Sequence, residues 1–233
     1  SQSIDAASLS SSTLLSLQTL DGRQVQEVVT GLFHTLLFYR STGKYKYAED
    51  GSSYSVGAIG FEDVFCDFVD FTYVRCSSEE LNRDLCQNVA DFSNALRRAE
   101  GESPGSAREG QIQLEFFQKK KARWPFTDES IPWEVWLFKI NIVNLPNEHE
   151  RQKQMCSAGE SLTETVFTVA AAMNRNEYVP RTVRPEDLDL VFNTQYSDIQ
   201  PYLFKVAYQT NFEPTSPSIP SAVRRMLRGT LAL

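Results

Sequence analysis

Histidine and cysteine are scarce in this 233-residue chain, two and four residues respectively, and neither type is grouped. His34 and His149 alone serve zinc poorly, so no metal and no cofactor are expected. Cys66, Cys76, Cys86 and Cys156 show no Cys-x-x-Cys spacing, and no asparagine begins an Asn-x-Ser/Thr acceptor. Free thiols in a reducing compartment follow from that pattern. No stretch approaches the ~20 apolar residues a membrane helix needs, and the serine-rich start has no cationic region leading into an apolar one. A soluble, cytoplasmic protein is therefore expected. Basic excess is missing too: the formal net charge is −7, which argues against a general nucleic-acid binder, because phosphate neutralisation needs a cationic face.

Catalytic constellations are equally thin. Asp67 and Asp70 resemble a carboxylate pair, but on a regular strand their odd spacing points them to opposite faces, so shared acid/base work needs a bulge. His34 falls on the polar side of its helix, and no nucleophile signature surrounds any cysteine. Ser41, Thr42, Gly43 and Lys44 resemble the end of a phosphate loop, yet the initial glycine is absent, Tyr45 replaces the metal-binding hydroxyl, and a helix precedes in place of a strand. The chain is not expected to be an enzyme.

Periodicity marks the elements that are present. Residues 1–12 are a serine-rich tail, and Leu14 to Leu20 alternate as a short first strand. Asp21 is expected to cap a helix to about Phe38, with Val25, Val28, Val29, Leu32, Phe33 and Leu36 inward and Glu27 and His34 outward. Tyr54 to Cys76 read as two strands broken by Gly57 and Gly60; in the second, Val64, Cys66, Phe68, Thr72 and Val74 share a face. Ser77 with Glu80 suggests a capping box, followed by the stripe Leu81, Leu85, Val89, Phe92, Leu96 and a flexible loop from Gly101 to Gly110. Ile112, Leu114 and Phe116 alternate in one strand, and Trp136, Phe138, Ile140 and Ile142 in the next, predicting a hairpin with its tip from roughly Lys120 to Pro132. A third helix follows Pro146, burying Met155, Ala158, Leu162, Val166, Val169 and Met173. The last strand, Asp198 to Asn211, carries Tyr202, Phe204, Val206 and Tyr208; a Pro/Ser linker from Pro214 to Pro220 leads to a short amphipathic end around Val223, Met226 and Leu227. Three helices with an essentially antiparallel sheet make one α+β domain over 13–233.

The hairpin tip is the most distinctive stretch. Lys119, Lys120, Lys121 and Arg123 precede Trp124, Pro125 and Phe126. Pro125 stiffens the backbone between two large aromatics, leaving little entropy to lose on binding. Two readings stand: the rings fold back to plug the end of the sheet, or they protrude as a contact finger, each exposed ring withholding about 1.5–3 kcal/mol for a partner. The cations either aid that contact or deter strand pairing. Trp133 and Trp136, inside the returning strand, read as core.

Arg40-Ser-Thr-Gly-Lys-Tyr45, Cys66-Asp-Phe-Val-Asp-Phe-Thr-Tyr-Val-Arg75, Ser77-Ser-Glu-Glu-Leu81, Phe117-Gln-Lys-Lys-Lys121 and Arg123-Trp-Pro-Phe126 together resemble the autophagy-related protein 101 family. Ile131-Pro-Trp-Glu-Val-Trp136, Gln200-Pro-Tyr-Leu203 and Thr230-Leu-Ala-Leu233 extend the likeness in the same order from about Leu14 to Leu233. The serine-rich beginning and the Glu100 to Glu109 loop depart from it without removing a motif. The resemblance implies a HORMA-like fold and a non-enzymatic adaptor of the autophagy-initiating kinase complex. It implies pairing with the HORMA domain of autophagy-related protein 13, and recruitment of downstream autophagy factors through Trp124 and Phe126 at autophagosome formation sites, with membrane contact only indirect. Two other classes are kept in view: a peptide-clasping HORMA module whose Pro214 to Pro220 segment moves, and a membrane-interface sensor in which the aromatic tip inserts and its cations meet anionic lipid.

Overall fold

The computed structural model describes residues 11–50, 52–98, 108–121, 128–143, 145, 147–175, 178–182 and 184–210. Two long strands, β7 (Arg108–Lys120) and β8 (Glu129–Val143), form an antiparallel hairpin at the centre of a four-stranded sheet. β10 (Phe204–Thr210) pairs antiparallel with β7, and β1 (Ser11–Asp21) pairs with β8, giving the order β1-β8-β7-β10. β1 runs parallel to β8, so the sheet is mixed and not essentially antiparallel as the alternation suggested. Side-chain alternation is the same for either direction; only the partner decides it.

Three helices cover one face: α1 (Gln24–Tyr39), α2 (Glu79–Arg98) and α3 (Glu148–Met173). Their apolar stripes meet Ile112, Leu114, Phe116, Trp136, Phe138 and Ile140 in a single core. The expected stripe of α2 is buried throughout, while Met155 and Val166 of α3 are only half-buried. The α+β class is thus as expected.

Local boundaries differ for identifiable reasons. Asp21 does not cap α1: its carboxylate accepts the Arg23 backbone N–H, the Gln24 side chain accepts the Asp21 N–H, and Arg23 takes the cap position. Nor do Ser77 and Glu80 close a box at α2. Ser78 Oγ accepts from Leu81 N at 3.4 Å and donates to Asp198, while the Glu80 carboxylate is used by Ser197 N. Distant chain has taken over what local pattern would have paired. Asn147 caps α3, accepting from Glu150 N at 2.8 Å.

Residues 41–76 form short strands: β2 (Ser41–Thr42), β3 (Tyr45–Tyr47), β4 (Tyr54–Val56), β5 (Phe61–Phe65) and β6 (Thr72–Cys76). β3 pairs with β4, β5 with β6, and β2 with β9 (Gln200–Pro201). Tyr54 to Cys76 therefore holds three strands where two were expected. A train of rings, Tyr45–Phe192–Tyr202–Trp133–Phe116, with centroids 4.5 to 5.6 Å apart, ties β3 to the core.

At its centre Arg40, just past α1, makes a bidentate pair with Glu134 of β8, Nε to Oε2 at 2.6 Å and Nη2 to Oε1 at 3.1 Å. Both side chains are buried. Trp136 Nε1 donates to Glu134 Oε1, the Arg40 guanidinium lies 5.7 Å from the Trp133 ring centroid, and the Arg40 carbonyl accepts from Tyr202 N. Arg40→Ala strands the Glu134 charge and is expected to cost about 3–5 kcal/mol in urea unfolding; a loss under 1 kcal/mol would contradict this role.

Candidate functional site

The hairpin stem is built as far as its last pairs, Lys119 with Ser130 and Lys120 with Glu129. The strands thus run deeper into the expected tip than Lys120 to Pro132 allowed. Pro132 is accommodated because it faces Phe117 where the register shifts, a place where a missing N–H costs least. Lys119, Lys120 and Lys121 are exposed. Lys121 is nevertheless a peg: its ammonium donates to the Glu186 carbonyl and the Asp187 carboxylate, both at 3.1 Å, joining the stem to the 3-10 turn Pro185–Leu190. Arg123, Trp124, Pro125 and Phe126 lie outside the described residues. Trp133 and Trp136 are buried, as read from their place in the strand.

A second surface was missed. On β5, Phe61 and Phe65 are 68 % and 78 % exposed, and on β6 Val74 stands beside them; Phe38 of α1 meets Phe61 edge-on at 6.5 Å. The alternation Phe61-x-Asp63-x-Phe65 was its signal. The face foreseen from Val64, Cys66, Phe68, Thr72 and Val74 does not exist, because the alternation breaks at a turn between β5 and β6.

That turn is held firmly. Both Glu27 carboxylate oxygens accept backbone N–H groups, from Asp67 and Phe68 at 2.8 Å each, and Gln24 donates to the Phe68 carbonyl. Val69 is driven into the core, and Gly159 of α3 leaves room for the Asp70 carbonyl, which any Cβ there would strike. Asp67 and Asp70 thus stand in a clamped turn and not on a regular strand. Between α1, α2 and this hairpin runs a groove of about 360 Å³ lined by Thr30, Phe65, Cys66, Phe68, Tyr73 and Cys86.

His34 is not on a solvent face; it is 1 % exposed, stacked on Tyr73 at 5.8 Å and 3.1 Å from Asn82 Oδ1. The β5–β6 hairpin and α2 cover the side of α1 that the sheet does not, which the one-sided stripe did not anticipate. Burial drives the His34 pKa down to about 4, with the Asn82 contact opposing and Arg75 adding to the fall. Burial likewise pushes the Cys66 thiol up to about 12 and Cys76 to about 11. Such thiols stay protonated at neutral pH, the reverse of an activated nucleophile. Lys44 donates to the carbonyls of Thr194 and Tyr196, a structural bracket and not the end of a phosphate loop, and Gly43 is packed against the Gly57 carbonyl. Among the described residues there is no cluster of three metal-ligating side chains and no helix long and apolar enough to cross a membrane.

These features define an α+β protein whose distinctive surfaces are an anchored basic stem and an exposed aromatic face. The family model for autophagy-related protein 101 matches residues 18–186. Autophagy-related protein 101 of Xenopus tropicalis is 47% identical over 215 residues, covering 92% of this chain and 95% of the relative. The Homo sapiens protein of that name is 46% identical over the same length and shares, and that of Arabidopsis thaliana 21% identical over 178 residues, 67% of this chain and 74% of the relative. The chain belongs to the autophagy-related protein 101 family, and its role lies in autophagy.

The buried imidazole has a pH signature. Its folded pKa lies below the unfolded value of 6.5, so the unfolded chain takes up a proton first; the stability it confers is whole above about pH 6.5 and is lost as pH falls towards 4. Over that window the native protein should lose on the order of 3 kcal/mol more than His34→Gln. Denaturant unfolding of both at pH 7 and pH 4.5 checks this; parallel pH profiles would refute it.

Proposed function

We propose that this chain is a non-enzymatic adaptor of the autophagy-initiating kinase complex, pairing with the HORMA domain of autophagy-related protein 13 and stabilising it. The HORMA-like unit expected over 13–233 is read from Ser11 onward, because β1 begins there and pairs Ser11 and Ser12 with β8; the tail expected over 1–12 is shortened accordingly, and 214–233 is read as a linker and amphipathic end. The observation that carries the pairing is the aromatic face of β5 and β6. Phe61 and Phe65 remain mostly in water although the same hairpin sends Val69 and Tyr73 inward. Covering each ring is worth about 1.5–3 kcal/mol to a partner. The Glu27 clamp holds the turn beside them in one conformation, so little ordering entropy opposes association.

Recruitment of downstream factors is assigned to Trp124 and Phe126, with Pro125 stiffening the loop and Lys119, Lys120 and Arg123 favouring an acidic approach. The support is the stem: paired to Lys120 and pegged by Lys121 to Asp187, it gives a short aromatic loop a fixed base. The protein acts in the cytoplasm and reaches autophagosome formation sites through these partners.

Co-purification of the full chain with the autophagy-related protein 13 HORMA domain tests the pairing. Phe61→Asp with Phe65→Asp is expected to weaken the pair at least about 100-fold, the loss of two anchors, while the isolated chain melts within a few degrees of the native one. Undiminished pairing would falsify the assignment of this face. Separately, Trp124→Ala with Phe126→Ala should preserve pairing and denaturant stability yet abolish recruitment of later autophagy factors in cells lacking the native protein. A loss of about 3–5 kcal/mol in stability would instead identify the rings as a plug.

A further inference from the structure

The sheet has a second face, turned away from all three helices, and its centre is unexpectedly dry. Alternation along β7 puts Gln113 and Glu115 there, and the register places Val135 and Leu137 of β8, Leu14 of β1 and Lys205 of β10 beside them. A sheet face on which no helix packs is ordinarily wet and polar. Here Glu115 is 1 %, Gln113 5 % and Val135 8 % exposed, although the buried stripes of α1, α2 and α3 all join the core on the opposite side. Lys205 Nζ meets Glu115 Oε1 at 2.6 Å, but Glu115 Oε2 and Gln113 Nε2, both withdrawn from water, have no hydrogen-bond partner. A buried carboxylate satisfied at only one oxygen calls for a second donor, preferably cationic.

The chain itself carries a fitting occupant. From Pro214 to Leu233 it contains three arginines and no acidic residue, within a protein of net charge −7. Val223, Met226 and Leu227 fall at i, i+3 and i+4, one apolar stripe if wound as a helix, with Arg224, Arg225 and Arg228 around it. The segment follows β10, the edge strand next to Glu115. Residues 211–222 can span up to roughly 40 Å, against roughly 15 Å across four strands.

We propose that Ser221 to Leu231 docks along this outer face, Val223, Met226 and Leu227 against Val135 and Leu137, with one of the arginines on the free Glu115 oxygen. The outer face is then an intramolecular docking surface, independent of the pairing and finger surfaces. Limited trypsin digestion of the full chain, followed by mass spectrometry, reads the accessibility of Arg224, Arg225 and Arg228. Met226→Ser with Leu227→Ser is expected to speed cleavage there about tenfold and to raise hydroxyl-radical labelling of Leu137 several-fold, leaving labelling of Phe138 unchanged. Glu115→Gln should speed cleavage by a smaller factor, while the tail variant, which alters nothing in the sheet, guards against a folding effect. Equal cleavage and labelling in all three chains overturns the proposal. So does protection that disappears on dilution, which would make the occupant a second copy.

Discussion

The buried pair between Arg40 and Glu134 is the constraint around which the molecule is arranged. Arg40 closes α1 with its backbone N–H, engages β8 and lies against Trp133 with its guanidinium and, through its backbone carbonyl, holds the segment entering β10. Two buried charges are tolerable only because both carboxylate oxygens are used, one of them twice. The pair therefore specifies more than it stabilises: few alternative packings of α1 on the sheet would satisfy Glu134, so helix, sheet and C-terminal strands share one register.

From that fixed position α1 serves two layers. Its apolar residues meet the sheet, while Gln24, Glu27 and His34 reach the β5–β6 hairpin and α2. A helix sandwiched in this way cannot be amphipathic in the simple sense, and its polar contacts become hinges of specificity. The aromatic face of β5 stays outside because the opposite face of the same hairpin, with Tyr73 on His34, is already committed. Exposure of Phe61 and Phe65 is thus a consequence of how α1 is roofed, not of a poorly filled core.

Much of this was legible beforehand. The stripes of α1 and α2 and the alternation of Ile112 to Phe116 and Trp136 to Ile142 are local signals backed by burial, so the α+β class and the central hairpin followed from them. What escaped was set by distant partners. The direction of β1 depends on β8, the capping groups at α2 went to Asp198 and Ser197, and His34 vanished beneath a hairpin that no periodicity announces. The stem of the candidate finger was visible in alternation, but Lys121 looked like one more free cation until Asp187 was found beside it. Phe61 and Phe65 were passed over because aromatic alternation reads equally well as a buried strand.

The parallel pairing of β1 with β8 has a consequence for how the chain is made. Ser11 lies opposite Glu134 and Leu17 opposite Ile140, so β1 leaves the ribosome well before its neighbour and waits for residues 129–143 to be made. Closing so long a loop is entropically slow, and contacts of that sequence separation are formed late. Until then β1 is an unpaired apolar edge, available to chaperones or to wrong strands. Newly synthesised molecules thus pass through a vulnerable interval whose length is set by translation, which ends when residues 129–143 emerge and seal the sheet.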